Sequence, residues 1–380
     1  MRPFAGAAAA LIVLVGVAWP VRAQDVPTVK IEEENTNIGT SAAEFLTLGA
    51  GARGMVLGGA FGAIVRDAEA LYYNPAGLPL LDGPQAMLTV MPYFAETDYF
   101  WGGFAFPFAG GQYGIGVQIG NFGFSDQPIY TEADPEGESG RTYSVSETFV
   151  GLSLAHAFID RFTGGVTLKF ISDELAQTRA TGFALDIGTN FHTELGNRPI
   201  AVSFVLQNVG TSLRHTVQGV NFTSFPPSAQ DVPNSNVDPN PARFETQAFA
   251  LPVFFRVAVA YDAVATASSR LSLLGEFVEA NNNDPSWGLA AEYGWTSAGG
   301  AVVLAGRVGY TFQPDNYLSS SEQRELAPLT EPENRGLDGL AFGGGLRYRF
   351  SGYEARFDYA FRHFGTLGTV NVYTIGFGWQ

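Results

Sequence analysis

The amino-acid sequence predicts an all-β transmembrane fold: a 14-stranded antiparallel outer-membrane β-barrel with a short N-terminal plug, or hatch, inside the lumen. Three observations predict it: a composition rich in glycine and aromatic residues, a two-residue alternation of apolar and polar side chains, and long polar connections that all follow odd-numbered strands. Of the 380 residues, 46 are glycine and 13% are aromatic, whereas only 15% are charged. Because glycine is a poor helix former, this composition argues against a helical protein.

Residues 1–23 have the pattern of a secretory signal peptide. An uncharged apolar stretch over 4–18 is followed by Val21 and Ala23 at the −3 and −1 positions of a cleavage site. The alternative is an uncleaved membrane anchor, since the apolar stretch approaches the shortest length that spans a bilayer. No cysteine follows the site, which excludes a lipoprotein anchor. We expect cleavage after Ala23, and we expect the acidic residues 24–44 to form a periplasmic tail.

The segment over 45–82 carries the most specific motif of the chain and is expected to form the plug. Residues 44–78 read EFLTLGAGARGMVLGGAFGAIVRDAEALYYNPAGL, and the many glycine and alanine residues allow the backbone to approach the barrel wall closely. Gly49, Gly51 and Gly54 match the G-x-G-x-x-G dinucleotide fingerprint. No strand–helix–strand unit surrounds them, so we interpret this match as unrelated to nucleotide binding.

Five residues of the plug are candidates for a functional role. Asp67 is positioned to cap a short helix over 68–73, and Asn74-Pro75 with Gly77 supplies a turn into the first strand. Ionisable plug residues are expected to meet charged partners in the lumen. A gating role and a purely structural role both remain open for them. The five candidates are Arg53, Asp67, Asn74, Pro75 and Gly77. The ionisable plug residues and their expected partners are Arg53, Arg66, Asp67 and Glu69 against Asp186, Glu276, Glu292 and Arg356.

The alternation is clearest in the segment over 353–361. Tyr353 and Phe357 lie on one face, whereas Arg356 and Asp358 lie on the other. A soluble sandwich would bury the aromatic face and would rarely keep so many large aromatic residues near its strand ends. Facing strands offer complementary charges to the lumen. The candidate lumenal charges are Glu276, Glu292, Arg347, Arg349, Glu354, Arg356 and Asp358.

The same alternation recurs fourteen times along the chain. Most of the segments exceed the roughly 9–11 residues that a tilted strand needs to cross the hydrocarbon layer. An even number of strands lets an antiparallel sheet close, and closure is required because lipid cannot satisfy an open edge. The predicted barrel occupies 83–380. Its strands are 86–95, 97–108, 111–124, 145–158, 161–173, 179–192, 199–208, 249–262, 269–279, 285–296, 301–312, 339–350, 352–363 and 367–379.

The long polar connections give the orientation of the barrel. They cover 125–144, 209–248 and 313–338, and they follow the third, seventh and eleventh strands. If the N-terminus is periplasmic, every odd-numbered connection is extracellular, so that all three long loops emerge outside. Long outer loops and tight periplasmic turns are typical of bacterial outer-membrane barrels. We therefore expect the protein in the outer membrane of a Gram-negative bacterium, in contact with outer-membrane lipid.

The composition also excludes several function classes. The net charge is −16, which argues against nucleic acid as a partner. Absence of cysteine excludes disulfides, thiol catalysis and cysteine-ligated metals. Neither a G-x-S-x-G elbow nor an H-E-x-x-H pair accompanies the four histidines. We expect a non-enzymatic protein with no catalytic residue, no metal and no cofactor; the ligand-binding residues are unknown at this stage.

The motif at 44–78, together with fourteen strands, resembles the PorV/PorQ family of outer-membrane proteins. That family is itself similar to the FadL family of hydrophobic-compound transporters, with which it shares Asn-Pro-Ala-Gly-Leu at 74–78. The last residues, 373–380, place large apolar side chains at every second position, which resembles the C-terminal strand signal for barrel insertion. Gln380 after the final aromatic residue departs from the commonest form of that signal.

The resemblance implies two functions. In the PorV-like interpretation, favoured by the segment over 45–53, the barrel is a component of a type IX secretion pathway, and its partners are secreted proteins and a secretion translocon. In the alternative, FadL-like interpretation, the barrel takes up long-chain fatty acids or other hydrophobic small molecules. The ligand then enters from outside, passes a hatch near Asn74 and Pro75, and leaves through an opening in the wall.

Overall fold

The computed structural model describes residues 39–217, 222–224, 240–242, 244–312, 339–364 and 367–379. The predicted signal peptide, most of the predicted acidic tail and large parts of two long connections lie outside these residues. Within them, fourteen strands form the barrel, as the sequence predicted. They are β1 Gln85–Pro92, β2 Asp98–Phe108, β3 Tyr113–Pro128, β4 Thr142–Ile159, β5 Phe162–Leu175, β6 Thr178–Leu195, β7 Arg198–Gly210, β8 Phe254–Ala265, β9 Ser269–Ala280, β10 Asn283–Thr296, β11 Val302–Phe312, β12 Leu340–Phe350, β13 Tyr353–His363 and β14 Thr369–Trp379.

The sheet closes on itself. Every strand pairs antiparallel with its neighbours along the chain, and β1 pairs with β14, with Gln85 opposite Gly378. The strands β7 and β8 pair directly although a long connection joins them, with Gln207 opposite Phe254. Closure leaves no strand edge facing lipid, which is the condition for a sheet to span a bilayer. In the described part of the chain, no helix has the length and apolar character needed to cross a membrane.

Side chains alternate between lipid and lumen along each strand. In β5, Leu168 is 54% exposed, whereas Lys169 beside it is 1% exposed because it points toward the plug. Val166 and Phe170 continue the outer face, and Thr167 continues the inner one. A two-residue period is therefore sufficient to place apolar groups outside and polar groups inside.

The strand boundaries differ most from the predicted ones at β8, which the sequence analysis expected to begin at residue 249. Phe249 instead exchanges two backbone hydrogen bonds with Leu213, each 2.8 Å long, so the residues before β8 belong to the preceding connection. At the other extreme, β4 is longer than predicted and runs over Thr142–Ile159. An apolar pattern alone cannot separate a strand of the barrel from one paired inside a loop.

The plug consists of short helical segments. They are a 3-10 turn at Glu44–Thr47, helix α1 at Ala52–Leu57, a 3-10 segment at Gly58–Ala63, helix α2 at Ala70–Tyr73 and a 3-10 segment at Pro75–Leu80. A further 3-10 turn, Phe94–Glu96, lies between β1 and β2. Helix α2 starts at Ala70 rather than at the predicted residue 68. The Asp67 carboxylate accepts a hydrogen bond from the Glu69 N–H at 3.2 Å, which makes a turn ahead of the helix.

These segments fill the lumen from side to side. Helix α1 packs against β11, β12 and β13, the segment Gly58–Ala63 packs against β8, β9 and β10, and the segment Pro75–Leu80 packs against β2 to β6. Ala50, Phe61 and Leu78 are completely buried between plug and wall. The described lumen is thus occupied by the chain's own N-terminal region.

The plug runs through the barrel from one end to the other. At the end with the long connections, the Ala42 N–H donates to the carbonyl of Ala250 at 2.9 Å. At the end with the short turns, the Trp379 N–H donates to the carbonyl of Pro84 at 3.2 Å, where the plug passes into β1. The sequence analysis expected 24–44 at the short-turn end. Of these residues the structure describes 39–44, and backbone pairing of Ser41 and Ala42 with Ala250 places them at the end with the long connections.

Candidate functional site

The two halves of the plug motif bind each other through two tyrosines. The Tyr72 hydroxyl donates to the carbonyl of Leu46 at 2.7 Å and accepts from the Gly49 N–H at 3.1 Å. The Tyr73 hydroxyl accepts from the Ala50 N–H at 3.3 Å. A Cβ at Gly54 would lie 2.2 Å from the Tyr73 ring, so only glycine fits there. The apparent dinucleotide fingerprint is therefore a packing surface for these tyrosines.

Asn74 joins the plug to the barrel wall. Its amide Nδ2 donates to the carbonyls of Gly62 at 2.9 Å and Thr189 at 3.2 Å, and its Oδ1 accepts from the Ala76 N–H at 3.1 Å. The last bond caps the 3-10 segment that begins at Pro75. A Cβ at Gly77 would lie 2.6 Å from the carbonyl oxygen of Val65. The Asn-Pro-Ala-Gly sequence thus combines a cap, a helix start and a close backbone contact.

A buried ion-pair cluster holds the plug on the other side. Arg53 binds Asp67 at 3.0 Å and Glu292 of β10 at 2.7 Å. Arg356 of β13 binds the same Asp67 oxygen at 2.6 Å. Each pair joins a plug residue to another plug residue or to the wall. The plug ion-pair cluster comprises Arg53, Asp67, Glu69, Glu292, Arg307, Arg356 and Asp358.

The wall side of the cluster is a second set of ion pairs. Arg307 of β11 bridges Glu292 and Asp358, at 2.6 Å to each carboxylate. Arg356 also bonds Asp358. Buried carboxylates and guanidinium groups are tolerated because each charge has an opposite neighbour. Arg307 was missed by the sequence analysis, although it lies two residues from Gly309 on the inward face of β11.

Glu69 is the exception within the cluster. Its side chain is fully buried and neither carboxylate oxygen has a hydrogen-bond partner. The nearest guanidinium, that of Arg356, is 3.8 Å away. Burial, and then the negative charge of Asp67, raise the pKa of Glu69 well above its ordinary value, while Arg356 opposes the shift. Glu69 lies in the plug, outside the membrane-spanning strands.

The remaining predicted charges lie at other levels of the lumen. Glu354 pairs with Arg347 at 3.3 Å and with Arg349 at 2.8 Å near the short-turn end, where Arg349 also approaches Asp82 at 3.8 Å. Asp186 pairs with the buried Lys169 at 2.7 Å. Arg66 lines a small cavity of about 60 Å³ together with Asp262 and Arg270. Glu276 lies apart from these groups, on the long-loop side of the plug.

A larger cavity of about 360 Å³ lies between the plug and the long-loop end of the barrel. Aromatic side chains from both the plug and the wall line it. Glu44, Thr47 and Leu48 come from the first turn of the plug. Its aromatic lining residues are Tyr72, Tyr73, Tyr93, Phe254 and Phe364. This position places the cavity ahead of the plug for a compound that arrives from the long-loop side.

Two arginines and two carboxylates line the same cavity: Arg256, Arg362, Glu44 and Glu276. Arg256 lies over the Phe254 ring at 5.1 Å and Arg362 over the Phe364 ring at 5.0 Å. The Nε of each arginine is buried without a hydrogen-bond partner, as is Glu276 Oε2. The cavity therefore combines apolar rings with charged donors and acceptors.

The sequence carried a partial signal for these arginines. Arg362 follows Arg356 and Asp358 on the same face of β13, in steps of two residues. Arg256 interrupts the apolar run at the start of β8, between Phe255 and Val257. Neither pattern shows which inward charges meet a partner and which face a cavity, because that depends on where the plug ends.

Comparisons with known proteins reveal similarity of fold. Neither a protein-family model nor a curated protein sequence matches the chain. The structure resembles that of CymD, a monoaromatic hydrocarbon channel, with a TM-score of 0.53 and 13% identity over 88% of this chain and 98% of that one. It also resembles the toluene transporter TodX of Pseudomonas putida, with a TM-score of 0.51 and 10% identity over 87% and 96% of the two chains. The toluene transporter TbuX of Ralstonia pickettii is similar with a TM-score of 0.50 and 11% identity over 88% of this chain and 99% of that one.

At such low identities the likeness concerns the fold alone. The resemblance to the PorV/PorQ family has no support from these comparisons and rests on the motif over 44–78.

Proposed function

We propose that this protein is an outer-membrane channel for the uptake of hydrophobic compounds, the alternative function inferred from the sequence. The observation that carries the proposal is the aromatic cavity of about 360 Å³ between the long-loop end and a plug that fills the lumen. A cavity ahead of a closed plug suits a compound that is first captured and then released past the plug. The structural neighbours are named as a monoaromatic hydrocarbon channel and a toluene transporter, and these compounds belong to the same broad class.

The charges of the cavity favour an amphipathic compound over a plain hydrocarbon. Arg256 and Arg362 balance Glu44 and Glu276 when all four groups are ionised, and the two guanidinium groups are the charged donors of the site. A carboxylate can accept hydrogen bonds from the two guanidinium groups, while the apolar body lies on Phe254 and Phe364. A long-chain fatty acid has this combination, and toluene lacks the acid group.

The test is binding and uptake of a radiolabelled long-chain fatty acid and of toluene by the wild type and two variants. We expect Arg256→Gln and Arg362→Gln each to weaken fatty-acid binding about 10-fold to 100-fold, since a hydrogen bond to a charged group contributes about 1.5–3 kcal/mol. Toluene binding should change little. Arg214→Gln is the matched control, because Arg214 forms a surface ion pair with Glu245. Wild-type protein that binds and transports neither compound would contradict the proposal.

The secretion hypothesis has a weaker basis in the structure. Phe45 and Leu46, which begin the segment that favoured it, are each 2% exposed inside the lumen. Phe45 packs against Phe149 of β4, with ring centroids 6.1 Å apart. Residues buried in this way hold the plug and offer no surface to an exported protein. The motif is thus accounted for by packing, and we rank the channel first.

A pull-down separates the two functions. Capture of secreted proteins through their C-terminal domains, by full-length protein in outer-membrane extracts, would support a type IX secretion role. Failure of that capture together with saturable uptake of the fatty acid supports the channel.

A further inference from the structure

Two cavities lie on opposite sides of the plug and share one part of the wall. The larger cavity, on the long-loop side, is lined by Arg256 of β8 and Glu276 of β9. The smaller one, of about 60 Å³, is lined by Ala260 and Asp262 of β8 and by Arg270 of β9. It lies near the short β8–β9 turn, and short turns face the periplasm in outer-membrane barrels. The same two strands therefore lead from the cavity ahead of the plug to a second cavity behind it.

Little material separates the two cavities along β8. Among the described residues of this strand, Ala258 alone is buried and inward-facing between Arg256, which lines the first cavity, and Ala260, which lines the second. From the rise of a β-strand, Arg256 and Ala260 are about 13 Å apart. The plug crosses this interval with its 3-10 segment Gly58–Ala63, and Ile64 directly after the segment lines the second cavity. On the wall side the barrier is one methyl group, so local movement of this segment is sufficient to join the cavities.

The second cavity contains a positive charge that no acid neutralises. Among the described residues that line it, Arg66 and Arg270 are the cations and Asp262 is the one carboxylate. Both oxygens of Asp262 are already bound, one by the Ser272 hydroxyl at 2.6 Å and the other by Arg270 at 2.7 Å. Arg66 is exposed and forms no ion pair with the part of the chain that the structure describes. Its guanidinium group is therefore available to an anion, which it can bind through two parallel hydrogen bonds.

The other side of the second cavity is apolar. Ile64, Ala201 and Ala260 contribute aliphatic side chains to its lining. Its volume of about 60 Å³ exceeds the roughly 10–15 Å³ that one water molecule needs, but it is much smaller than the first cavity. The second cavity thus has room for a carboxylate group and the first carbons of a chain, and the rest of a long acid has to lie outside it.

We propose that the second cavity binds the carboxylate group of the transported acid after the acid has passed the plug, with Arg66 as the main donor and Arg270 as the second. The identity of the acid rests on the proposed function. The inference adds a site and a route, which runs from Arg256 along the inner faces of β8 and β9, past Ala258, to Arg66. The charge of the acid then meets a guanidinium group on each side of the plug, and this matters because an unpaired buried charge is costly.

Photolabelling locates the acid on each side of the plug. The probe is a long-chain fatty acid with a diazirine beside its carboxyl group, and the matched control probe is the corresponding alcohol. Full-length protein in lipid nanodiscs, where both ends of the barrel meet solvent, is irradiated, and mass spectrometry identifies the cross-linked residues. We expect the acid to label both cavities. Arg66→Gln should lower labelling of the second cavity about 10-fold or more and leave the first unchanged, whereas Arg66→Lys, which keeps the charge, should retain most of it.

Three results count against the proposal. Equal labelling of the second cavity by the acid and by the alcohol would show that no carboxylate is recognised there. Labelling confined to the first cavity, in a protein that takes up the acid, would remove the second site and leave the channel function standing. Carboxylate-dependent labelling of the second cavity in a protein that takes up no acid would overturn the channel function and, with it, the route.

A second experiment distinguishes an acid that has crossed the plug from one that arrives from the periplasm. Ala258→Leu enlarges the side chain between the cavities, and Val259→Leu, on the lipid-facing side and 40% exposed in the wild type, is the matched control. The acid probe is added to intact cells, so that it arrives from outside. We expect Ala258→Leu alone to lower uptake and labelling of the second cavity about 10-fold, because the larger side chain blocks the route. Labelling in nanodiscs, which are open from both ends, should persist.

The folded state of each variant is checked by its heat-dependent gel mobility, and Ala258→Val replaces the leucine variant if that barrel does not form. A folded variant at position 258 with unchanged uptake and unchanged labelling of the second cavity in intact cells would place the route elsewhere and overturn the proposal.

Discussion

Glu69 is a buried carboxylate that no hydrogen bond satisfies, next to three arginines and three other acids. The cluster contains three arginines and four carboxylates: Arg53, Arg307 and Arg356 with Asp67, Glu69, Glu292 and Asp358. When all seven groups are ionised, the cluster has a net charge of one negative unit. A protonated Glu69 removes that excess. Because the pKa of such a buried carboxyl group differs between the folded and unfolded states, its titration changes the stability of the protein with pH and can be measured.

Stability of the docked plug is predicted to fall as pH rises, because Glu69 holds its proton more tightly in the folded state. Its pKa is raised above that of the unfolded chain by burial and by Asp67. The stability that depends on the proton of Glu69 is therefore fully present below the pKa of the unfolded state, about 4.3. It is lost as the pH rises through the pKa of the folded state. Glu69→Gln should flatten this dependence and stabilise the plug at neutral pH. Thermal unfolding in detergent across the pH range measures it, and an unchanged slope in the variant would be evidence against the assignment.

Asp67→Asn is the companion variant with the opposite expectation. Its carboxylate bonds both Arg53 and Arg356, and breaking a buried ion pair costs about 3–5 kcal/mol. A stabilised Asp67→Asn protein would show that the cluster does not hold the plug.

At the scale of elements, the plug depends on the wall for its stability. Helix α1 has six residues and α2 has four, both too short to persist alone in water. Inward amides of the wall bind the carbonyls of the plug: Gln118 Nε2 donates to Leu71 and Gln207 Nε2 donates to Tyr72, both at 2.6 Å. The elements of the plug are thus defined by the barrel around them.

A methyl group on one wall glycine is predicted to displace α1. A Cβ at Gly309 of β11 would lie 1.9 Å from the carbonyl oxygen of Val56, so Gly309→Ala forces the helix away from the wall. Overpacking of this kind costs about 1–3 kcal/mol. Gly306→Ala, on the same strand but with nothing within 4 Å of its Cβ, is the matched control. We expect higher bilayer conductance and faster proteolysis within the plug for Gly309→Ala alone. Equal behaviour of the two variants would show that α1 is not packed on β11.

For the whole molecule, the dependence is one-sided: the plug is ordered by the wall, whereas the barrel closes through pairing of its own strands. In the part of the chain that the structure describes, the fourteen strands pair with one another and, at β6, with a two-residue strand at Thr216–Val217, and none of them pairs with the plug. The plug adds buried contacts and ion pairs to a wall that is already closed. A lumen enclosed by this many strands would conduct water and solutes if it were empty.

Removal of the plug is therefore predicted to leave an inserted barrel with a much larger conductance. A variant lacking residues 45–80 should still show the heat-dependent gel mobility of a folded barrel, while its single-channel conductance rises severalfold. Deletion of residues 131–139 from an outer connection is the control and should not open the lumen. Loss of the folded barrel on removal of the plug would show instead that the wall needs the plug as its folding core.

The sequence by itself determined the barrel: the number of strands, the faces of each strand and the parity of the long connections. It could do so because lipid imposes a strict period of two on every strand, which appears directly in residues such as Leu168 and Lys169. It also located the plug and its Asn74–Gly77 turn, whose residue types are dictated by local backbone geometry.

Only the tertiary structure decided which charges meet and where the chain enters. The pairing of Arg53 with Glu292, separated by 239 residues, and the exposure of Arg256 to a cavity depend on how the plug is threaded through the closed wall. The position of Ser41 beside Ala250 depends on the same threading. Periodicity is a local property of one strand, whereas these contacts are made between segments brought together by closure of the barrel.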